Sequence, residues 1–571
     1  MKKIVIRDIP DNIEPLHQHP LLHRIYAARG IADAAELNCD LKYLLPYNTL
    51  KGIAEATAQL TTAIREQQHI LVIGDFDTDG ATSTALAILA LKAFGLKKAS
   101  YLIPSRFEYG YGLTPEIVAV AATKKPQLIM TVDNGIASID GVREANKLGI
   151  KVLVTDHHLP GEQIPEACAI VNPNQKGDEF LSKNLAGVGV VFYLMLAARA
   201  TLRESDWFTS QNIPEPNMAQ FLDLVALGTV ADAVSLDRNN RILVAQGINR
   251  IKTGSCRPGI KALLAIAKRN YEKTSSHDFG FVIAPRLNAA GRLDDMSLGV
   301  ECLLTDDPIR ARSIAKELNN MNDERRGIEE DMQRQAINLV NELQLGKDLP
   351  AGLCVFEESW HQGILGILAG RLKDKLHRPV IAFAAVNDNE IKGSARSVSN
   401  VHIKNVLDNI AAKNPGLISR FGGHAMAAGL SLKRENLETF SIEFTKEVEK
   451  HLTLEDLHGI IYTDGELPEE YFHLKTAELL QAAGPWGAGF SEPVFIGEFT
   501  LSGQSLVGKK HLKLALHHLN TTQEMSAIYF NVNPEAWPNS RLAKAKVIYR
   551  LGINEYNGRR SLQLIISEII L

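Results

Sequence analysis

Several short motifs in this 571-residue chain concentrate carboxylates and histidines, the side chains that bind divalent cations. They comprise Asp75, Asp77 and Asp79 in GDFDTDG, Asp133 in VDNG, Asp156, His157 and His158 in DHH, and Asp232 in GTVAD. Unpaired carboxylates that lie close together repel one another, and a bound divalent cation relieves that repulsion. Oxygen-rich ligands with an imidazole suit Mn²⁺ or Mg²⁺ better than a structural zinc ion. If the fold brings these motifs together, they form a metal site.

Each of these motifs directly follows an apolar segment. We predict strands at residues 69–74, 127–132 and 151–155, and Asp232 follows the apolar segment 221–230. Helical segments separate the strands, and this alternation predicts a parallel, doubly wound sheet. Ligands bind beyond the carboxyl ends of the strands in such sheets. We therefore expect the aspartates and histidines to cap successive strands at one edge of the sheet.

Each motif taken alone has a simpler explanation. Residues 75–80 resemble half of a calcium-binding loop, but Leu86 occupies the twelfth position, where such loops carry glutamate. An aspartate after a strand also commonly caps the following helix. A second histidine pair, His517-His518, follows a predicted barrel strand with no acid cluster nearby, and we interpret it as surface. The segment 187–189 (GVG) lacks the third glycine of a dinucleotide-binding fingerprint, and we interpret it as close helix packing.

The rest of the chain predicts further units. A run without proline from residue 309 to 345 predicts a long exposed helix that connects two lobes. A second α/β region follows, and five β-rich segments near the C-terminus predict a small barrel, with an OB-fold as the candidate. The predicted units are an N-terminal segment of unassigned role at 1–44, a catalytic domain at 45–308, the connecting helix at 309–345, a second α/β domain at 346–455 and the barrel at 456–571.

The overall composition is that of a globular protein. Apolar residues make up 45% of the chain and charged residues 22%. The formal net charge of −4 excludes a uniformly basic coat for nucleic acid, although it does not exclude a local basic channel. The five cysteines lie far apart, which argues against a disulfide framework or a thiolate zinc site and indicates a cytoplasmic protein. We expect no signal peptide and no membrane span, because the longest apolar run is shorter than the roughly 20 residues a span needs.

The motifs together resemble the DHH phosphoesterase superfamily. Further segments narrow the resemblance to the RecJ family of single-strand-specific 5′→3′ DNA exonucleases. These are SR and GYG within 105–112, PRLNAAGR at 285–292, WHQGILGILAGR at 360–371, GSARS at 393–397, GGHAMAAG at 422–429, and the late segments GPWGAGFSEPVF, HLKL and NGRRSLQLIISEI. The resemblance implies a DHH lobe, a DHHA1 lobe and an OB domain. One departure is WGAGF at 486–490, where the family more often has Phe and then Gly-Asn-Pro, and we expect this segment to lie far from the metals.

The resemblance also implies roles for the metal-site residues. One cation would be bound by Asp75 or Asp77 together with Asp133. The second would share Asp133 as a bridging ligand and would also be bound by Asp79, His157 and Asp232. His158 would face the scissile phosphate, and Asp156 would orient a histidine. The resemblance leaves open whether Asp75 is a direct ligand. Two cations of Mn²⁺ or Mg²⁺ supply both a nucleophile and stabilisation of the leaving group in phosphodiester hydrolysis.

Further residues are implied to bind the substrate. They are Arg106, Asn288 and Arg292 on the catalytic side, Arg396, Ser397 and His424 on the second lobe, and Tyr111, which is a candidate for base stacking with Phe107 and Tyr109. The arginines would make charge-assisted contacts to phosphate. Stacking on aromatic side chains tolerates any base sequence, as a single-strand nuclease requires.

The activity implied is 5′→3′ hydrolysis of single-stranded DNA in repair and recombination, by a cytoplasmic monomer. Single-strand-binding protein and a helicase are the candidate protein partners. One alternative is a phosphodiesterase of the same superfamily that cleaves short oligonucleotides or cyclic dinucleotides; the extra barrel and the presence of Asp75 at the start of the first motif argue against it. The other is a non-enzymatic DHH-type scaffold, which would have lost metal ligands, whereas every ligand position here is filled.

Overall fold

A computed structural model describes residues 3–11, 13–343, 349–452, 459–508, 510–518, 523–539, 541–556 and 558–570. The chain forms two α/β lobes that are joined by a long helix and followed by a small β-barrel. This architecture confirms the predicted fold class. The domain limits predicted near residues 345 and 455 lie outside the described residues.

The first lobe is built on a five-stranded parallel sheet with the strand order β3-β2-β4-β5-β6. Together with the N-terminal segment, its helices and strands are β1 (Lys3–Ile6), α1 (Pro20–Ala27), α2 (Ile53–Arg65), β2 (Ile70–Gly74), α3 (Thr78–Ala93), β3 (Ala99–Leu102), α4 (Pro115–Thr123), β4 (Leu128–Val132), α5 (Ile139–Lys147), β5 (Lys151–Thr155), β6 (Ala169–Val171), α6 (Gly187–Glu204), α7 (Trp207–Ser210), α8 (Leu222–Ala231), α9 (Arg238–Lys252), α10 (Pro258–Ile266), α11 (Ser276–Asp278), α12 (Ala284–Leu293) and α13 (Ser297–Leu304). Both β2 and β4 are buried along their whole length, as expected for central parallel strands covered by helices on both faces.

The winding of the sheet reverses next to β2. The chain leaves β2 for β3 on one side and then returns to β4 on the other side. Such a switch point opens a crevice at the carboxyl ends of the two strands. Because Asp75 follows β2 and Asp133 follows β4, the topology itself brings the first two acidic motifs together.

A helix rather than a strand delivers Asp232 to this crevice. The apolar segment before it forms α8, which is buried against α3 and α9 and is therefore apolar on nearly every side. The expectation that every motif caps a strand is wrong at this position. A short apolar run does not distinguish a buried helix from a buried strand, since both lack a polar face.

The connecting helix and the second lobe follow the predicted order. Helix α14 spans 36 residues, and the sheet beyond it has the strand order β10-β11-β9-β8-β7. The elements are α14 (Pro308–Leu343), β7 (Leu353–Phe356), α15 (Leu365–Leu376), β8 (Val380–Ala385), β9 (Glu390–Arg396), α16 (Ile403–Lys413), β10 (Arg420–Gly423), β11 (Ala427–Lys433) and α17 (Leu437–Glu449). The second lobe has a hydrophobic core of its own between this sheet and its helices.

The C-terminal region ends in a closed five-stranded barrel, as predicted. Its elements are β12 (Ile460–Thr463), α18 (Leu474–Ala482), β13 (Phe495–Val507), β14 (His511–His518), β15 (Glu524–Tyr529), β16 (Lys544–Tyr556) and β17 (Arg559–Ile570). The core of the barrel is continuous with that of the first lobe. His518 packs its ring against Phe472 and Phe499, at centroid distances of 5.4 and 5.5 Å, so it is partly buried rather than a surface residue.

The N-terminal segment fastens the C-terminal region to the first lobe. Strand β1 pairs in parallel with β12. Arg29 forms a buried ion pair with Asp464 at 2.7 Å, and the Tyr26 hydroxyl donates to the carbonyl of Ala483 at 2.9 Å. The N-terminal segment and the C-terminal region are thus held together around one shared core.

The described residues also bear on membrane insertion and disulfides. None of the helices in this part of the chain combines the length and the apolar character that a membrane span needs. All five cysteines are free thiols.

Candidate active site

The crevice at the carboxyl ends of β2, β4 and β5 gathers the acidic and histidine motifs. Three overlapping groups place their ligand atoms within 4.8 Å of one another: Asp75, Asp77 and Asp133; Asp79, His157 and Asp232; and Asp133, His157 and His158. His157 Nε2 lies 3.2 Å from Asp133 Oδ1 and 3.5 Å from Asp232 Oδ2, which joins the groups into one centre. The structure therefore brings together all the residues that the sequence placed at the metals.

Among the residues that the structure describes, two buried atoms of this centre find no hydrogen-bond partner: Asp133 Oδ1 and His157 Nε2. Buried polar atoms are nearly always satisfied, so two facing lone pairs without a donor indicate that a cation belongs between them. Asp133 also has a φ of 62°, in the left-handed region that a residue with a side chain rarely adopts. Backbone strain of this kind is concentrated at functional sites. The donor set thus fits a divalent cation that prefers oxygen ligands.

Burial makes the carboxylates of the centre hard to ionise without a cation. Burial, reinforced by the charge of Asp77, raises the pKa of Asp75 to about 8 and that of Asp79 to about 7. Burial and then the charge of Asp79 raise the pKa values of Asp133 and Asp232 well above their usual range. Without metal, the centre therefore retains protons near neutral pH, and metal binding releases them.

The two adjacent histidines have opposite character. Burial, followed by the charge of His158, lowers the pKa of His157 to about 4, which keeps its ring neutral and its Nε2 available as a ligand. Burial alone would lower the pKa of His158, but the bond between its Nδ1 and Asp156 Oδ1, 2.7 Å long, raises it to about 9. Asp156 also accepts the backbone N–H groups of His157, His158 and Ile136. Asp156 is thus fully hydrogen-bonded, and it orients His158 rather than binding a metal.

The N-terminus of α6 supports the centre from below. Both oxygens of Asp79 accept backbone hydrogen bonds there, from Gly187 at 2.6 Å and Val188 at 3.0 Å. A Cβ at Gly187 would lie 2.6 Å from both Cβ and Oδ1 of Asp133. Reasoning from the sequence missed this contact, because the GVG pattern predicts helix packing alone. The detectable signal was a glycine at the first position of a helix, where free N–H groups stabilise an anion.

Three guanidinium groups converge beside the carboxylates. The Arg106 guanidinium lies 4.2 Å from the ring centroid of Phe76, and Arg292 donates to the Gly363 carbonyl across the cleft at 3.1 Å. Burial, then the charges of Arg106 and Arg396, lower the pKa of Arg292 to about 9. Among the described residues, none of these three arginines forms an ion pair. A cluster of cations without direct ion-pair partners predicts an anionic ligand in the cleft.

The remaining predicted residues take varied positions. The His424 ring stacks on His158 across the cleft at 5.7 Å, and the Tyr111 hydroxyl lies 3.0 Å from His158 Nδ1. Asn288 Oδ1 accepts from the Thr78 N–H at 2.8 Å, so it holds the start of α3. Ser397 is only 1% exposed and its hydroxyl donates to the Val401 carbonyl at 2.6 Å, so the structure does not bring it to the cleft surface.

The variant segment WGAGF lies closer to the centre than expected. The Leu236 N–H donates to the Ala488 carbonyl at 2.7 Å, and a Cβ at Gly489 would lie 2.0 Å from Ser235 Oγ. These residues belong to the loop that follows Asp232. The expectation that the segment lies far from the metals is therefore wrong.

Models of known families match three parts of the chain. The DHH family N-terminal domain matches residues 69–229, the DHHA1 domain residues 350–450 and the RecJ OB domain residues 463–568. The single-stranded-DNA-specific exonuclease RecJ of Escherichia coli (strain K12) is 50% identical over 556 residues, which covers 97% of this chain and 96% of that protein. The chain belongs to the RecJ family. The RecJ of Dickeya dadantii (strain 3937) is 49% identical over 98% of this chain and 97% of its own length.

Solved RecJ structures share the fold. The structure of RecJ from Thermus thermophilus in complex with Mn²⁺ has a TM-score of 0.80 and 28% sequence identity, and it covers 100% of this chain and 79% of that chain. A structure of the same Thermus protein in complex with Mg²⁺ has a TM-score of 0.74. This RecJ-family chain therefore has the DHH, DHHA1 and OB domains that its motifs resembled, with a centre fit for the metals that the Thermus protein binds.

Proposed function

We propose that this RecJ-family protein is a single-stranded-DNA-specific 5′→3′ exonuclease that hydrolyses phosphodiester bonds with two divalent cations, Mn²⁺ or Mg²⁺. One observation carries the proposal: the acidic centre with its unpartnered ligand atoms lies beside arginines of both lobes that, among the described residues, form no ion pair. The acidic centre would bind the cations, and the arginines would bind phosphate. A phosphodiester bridging the acidic centre and the arginines would place its phosphorus atom between them.

The residues of the chain then divide the work. When bound, the cations supply an activated water and neutralise the charge that develops on the phosphate. Asp133 belongs to two of the ligand groups and would hold both cations in register. Because Asp156 accepts the Nδ1–H of His158, the Nε2–H of His158 is left to donate to a phosphate oxygen. Arg106, Arg292 and Arg396 would bind and orient the phosphates. His424 would contact them from the second lobe.

The path of the strand explains the preference for single-stranded DNA. The two lobes approach one another closely, since the Phe107 and His361 rings lie 5.9 Å apart and His424 stacks on His158. We infer that a cleft with these contacts would admit one strand and exclude a duplex. The barrel would hold the strand farther from the scissile bond, as OB domains do in other single-strand-binding proteins.

The proposal extends to the cellular setting. We place the protein in the cytoplasm as a monomer acting in DNA repair and recombination, since its five free thiols suit a reducing compartment. Single-strand-binding protein and a helicase are the proposed partners, because both make or hold the single strand that this cleft would take.

Time-resolved digestion of end-labelled DNA tests the function. With Mn²⁺, a 5′-labelled single strand should release labelled mononucleotide at once, whereas a 3′-labelled strand should shorten progressively. A blunt duplex and a reaction with chelator should both stay intact. Cleavage of dinucleotides without cleavage of long strands would instead support the short-oligonucleotide alternative, and no hydrolysis with either metal would support a scaffold.

A further inference from the structure

An exposed aromatic side chain lies on the helix that leads into the cleft. Phe281 is 68% exposed, and the ring of His277 lies 4.6 Å from it at an angle of 30°. Phe281 belongs to a π-helical turn, Phe279–Ile283, that runs directly into α12. Turns of this kind are rare and are frequent at functional sites. The function proposed above assigns no role to either ring.

The position of Phe281 connects it to the active site. Asn288 and Arg292 follow it by seven and eleven residues, spacings that place all three on one side of the helix, with Arg292 about 16 Å from Phe281 along its axis. The turn packs against α8, and a Cβ at Gly280 would lie 3.7 Å from Val230, two residues before Asp232. Phe281 therefore lies along a helix face that begins at the cleft and leads away from it.

Two arginines lie near the ring of His277. Arg269 and Arg550, the latter on barrel strand β16, lie close enough to His277 to influence its protonation. Carboxylates neutralise part of this charge, since Asp278 pairs with Arg269 at 3.7 Å and Glu492 pairs with Arg550. Aromatic rings flanked by arginines are the composition of surfaces that bind single-stranded nucleic acid.

We propose that Phe281, with His277 behind it, is a base-stacking platform for the single strand on its way from the metal centre to the barrel. This inference rests on the proposed function, because it needs a strand in the cleft. At 3.4 Å per nucleotide in a stacked strand, the platform lies at most about five nucleotides from the scissile bond, and fewer if the strand is extended. The occupant is a nucleobase of any sequence, because stacking uses the face of the base and not its edge.

Binding measured without hydrolysis tests the platform. The full-length protein is titrated against a fluorescent single-stranded oligodeoxynucleotide in the presence of a chelator, with Phe281→Ala, Phe281→Trp and the control Leu181→Ala, which also removes an exposed apolar side chain (81% exposed). Phe281→Ala should raise the Kd about 5- to 150-fold, the range for losing one stacked base. Phe281→Trp and Leu181→Ala should bind within about twofold of the wild type. A dinucleotide, too short to reach Phe281, should be hydrolysed with unchanged kcat by Phe281→Ala, which shows that the fold is intact.

Abasic substitutions locate the contact. A single abasic site moved along the strand should weaken binding to the wild type at one or two positions near the 5′ end, and those positions should lose their effect in Phe281→Ala. Unchanged affinity of Phe281→Ala together with the same abasic profile would overturn the platform. Because binding is measured with chelator, that result is distinct from a failure of the wild type to hydrolyse DNA with Mn²⁺, which would overturn the exonuclease itself.

Discussion

Gly187 occupies a position where a single methyl group should disable the metal centre. The residue opens α6 directly beneath Asp133, and a Cβ there would lie 2.6 Å from both Cβ and Oδ1 of that carboxylate. Real Cβ atoms keep at least about 3.0 Å, and ordinary contacts begin near 3.4 Å. Gly187→Ala should therefore displace Asp133, or the helix end that holds Asp79, by roughly 0.4–0.8 Å.

The cost to activity follows from that displacement. A misplacement of about 1 Å in a catalytic group costs on the order of 10²-fold in rate, so a displacement of this size should lower kcat on single-stranded DNA about 6- to 40-fold. The Mn²⁺ concentration for half-maximal activity should rise, because Asp133 belongs to two of the three ligand groups. The free energy of unfolding should change little. Alanine at the first turn of a helix gains up to about 1 kcal/mol of helix propensity over glycine, and this gain offsets the cost of the local clash.

A neighbouring glycine provides the matched control. A Cβ at Gly189 would meet the side chain of Leu185 at 3.2 Å, and a leucine methyl group can move aside. Gly189→Ala should therefore keep activity within about threefold, although it makes the same chemical change two residues along the same helix. Wild-type kcat and Mn²⁺ dependence in Gly187→Ala, with the protein folded, would refute the assignment of Asp133 to the metal centre.

Three further predictions concern charge, substrate and modularity. With Mn²⁺, Asp133→Asn should abolish activity; in chelator, it should raise Tm near pH 8.5, because a buried carboxyl with a raised pKa stabilises the fold only while it is protonated. Wild-type stability should be full below about pH 4 and decline through the pKa values of Asp79, about 7, and Asp75, about 8. A Tm gain that is as large at pH 5 would contradict this. Arg396→Ala should raise KM and reduce the salt slope of binding by about one, with Mn²⁺ affinity unchanged; an unaltered salt slope would remove this arginine from the phosphate site. Truncation after residue 452 should give an unfolded protein by circular dichroism, since the C-terminal region shares its core with the first lobe; a cooperative thermal transition in the truncated chain would show the barrel to be dispensable.

The acidic centre was predictable because it depends on topology and local pattern. Parallel strands meet at one edge, so Asp75 after β2 and Asp133 after β4 had to be neighbours once the alternation of strands and helices was recognised. The five barrel strands were visible for a similar reason, since short β-rich segments separated by turns have few other packings. Residue type and spacing were sufficient where the site is built from the ends of regular elements.

Other parts of the site depend on contacts between segments distant in the sequence. The hydroxyl of Ser397 is turned inward to Val401 by a local loop, and nothing in the residue type distinguishes an inward serine from one that binds phosphate. The hydrogen bond from the Gly187 N–H to Asp79 joins residues 108 positions apart in the sequence. The helix before Asp232 was ambiguous because burial on all sides erases the periodicity that separates helix from strand.

The pairing of β1 with β12 has a consequence for how the chain is made. Lys3 faces Ile460, so strand β1 cannot find its partner until about 457 further residues have been synthesised. At about 5–20 residues per second, the wait is roughly 25 to 90 s. During that interval Ile25 and Tyr26, which are buried in the finished molecule, lack the C-terminal part of their core. The pairing of β1 with β12 is therefore a late step in the folding of this nuclease. A nascent chain arrested before residue 460 exposes the apolar residues of its N-terminal segment to chaperones and proteases.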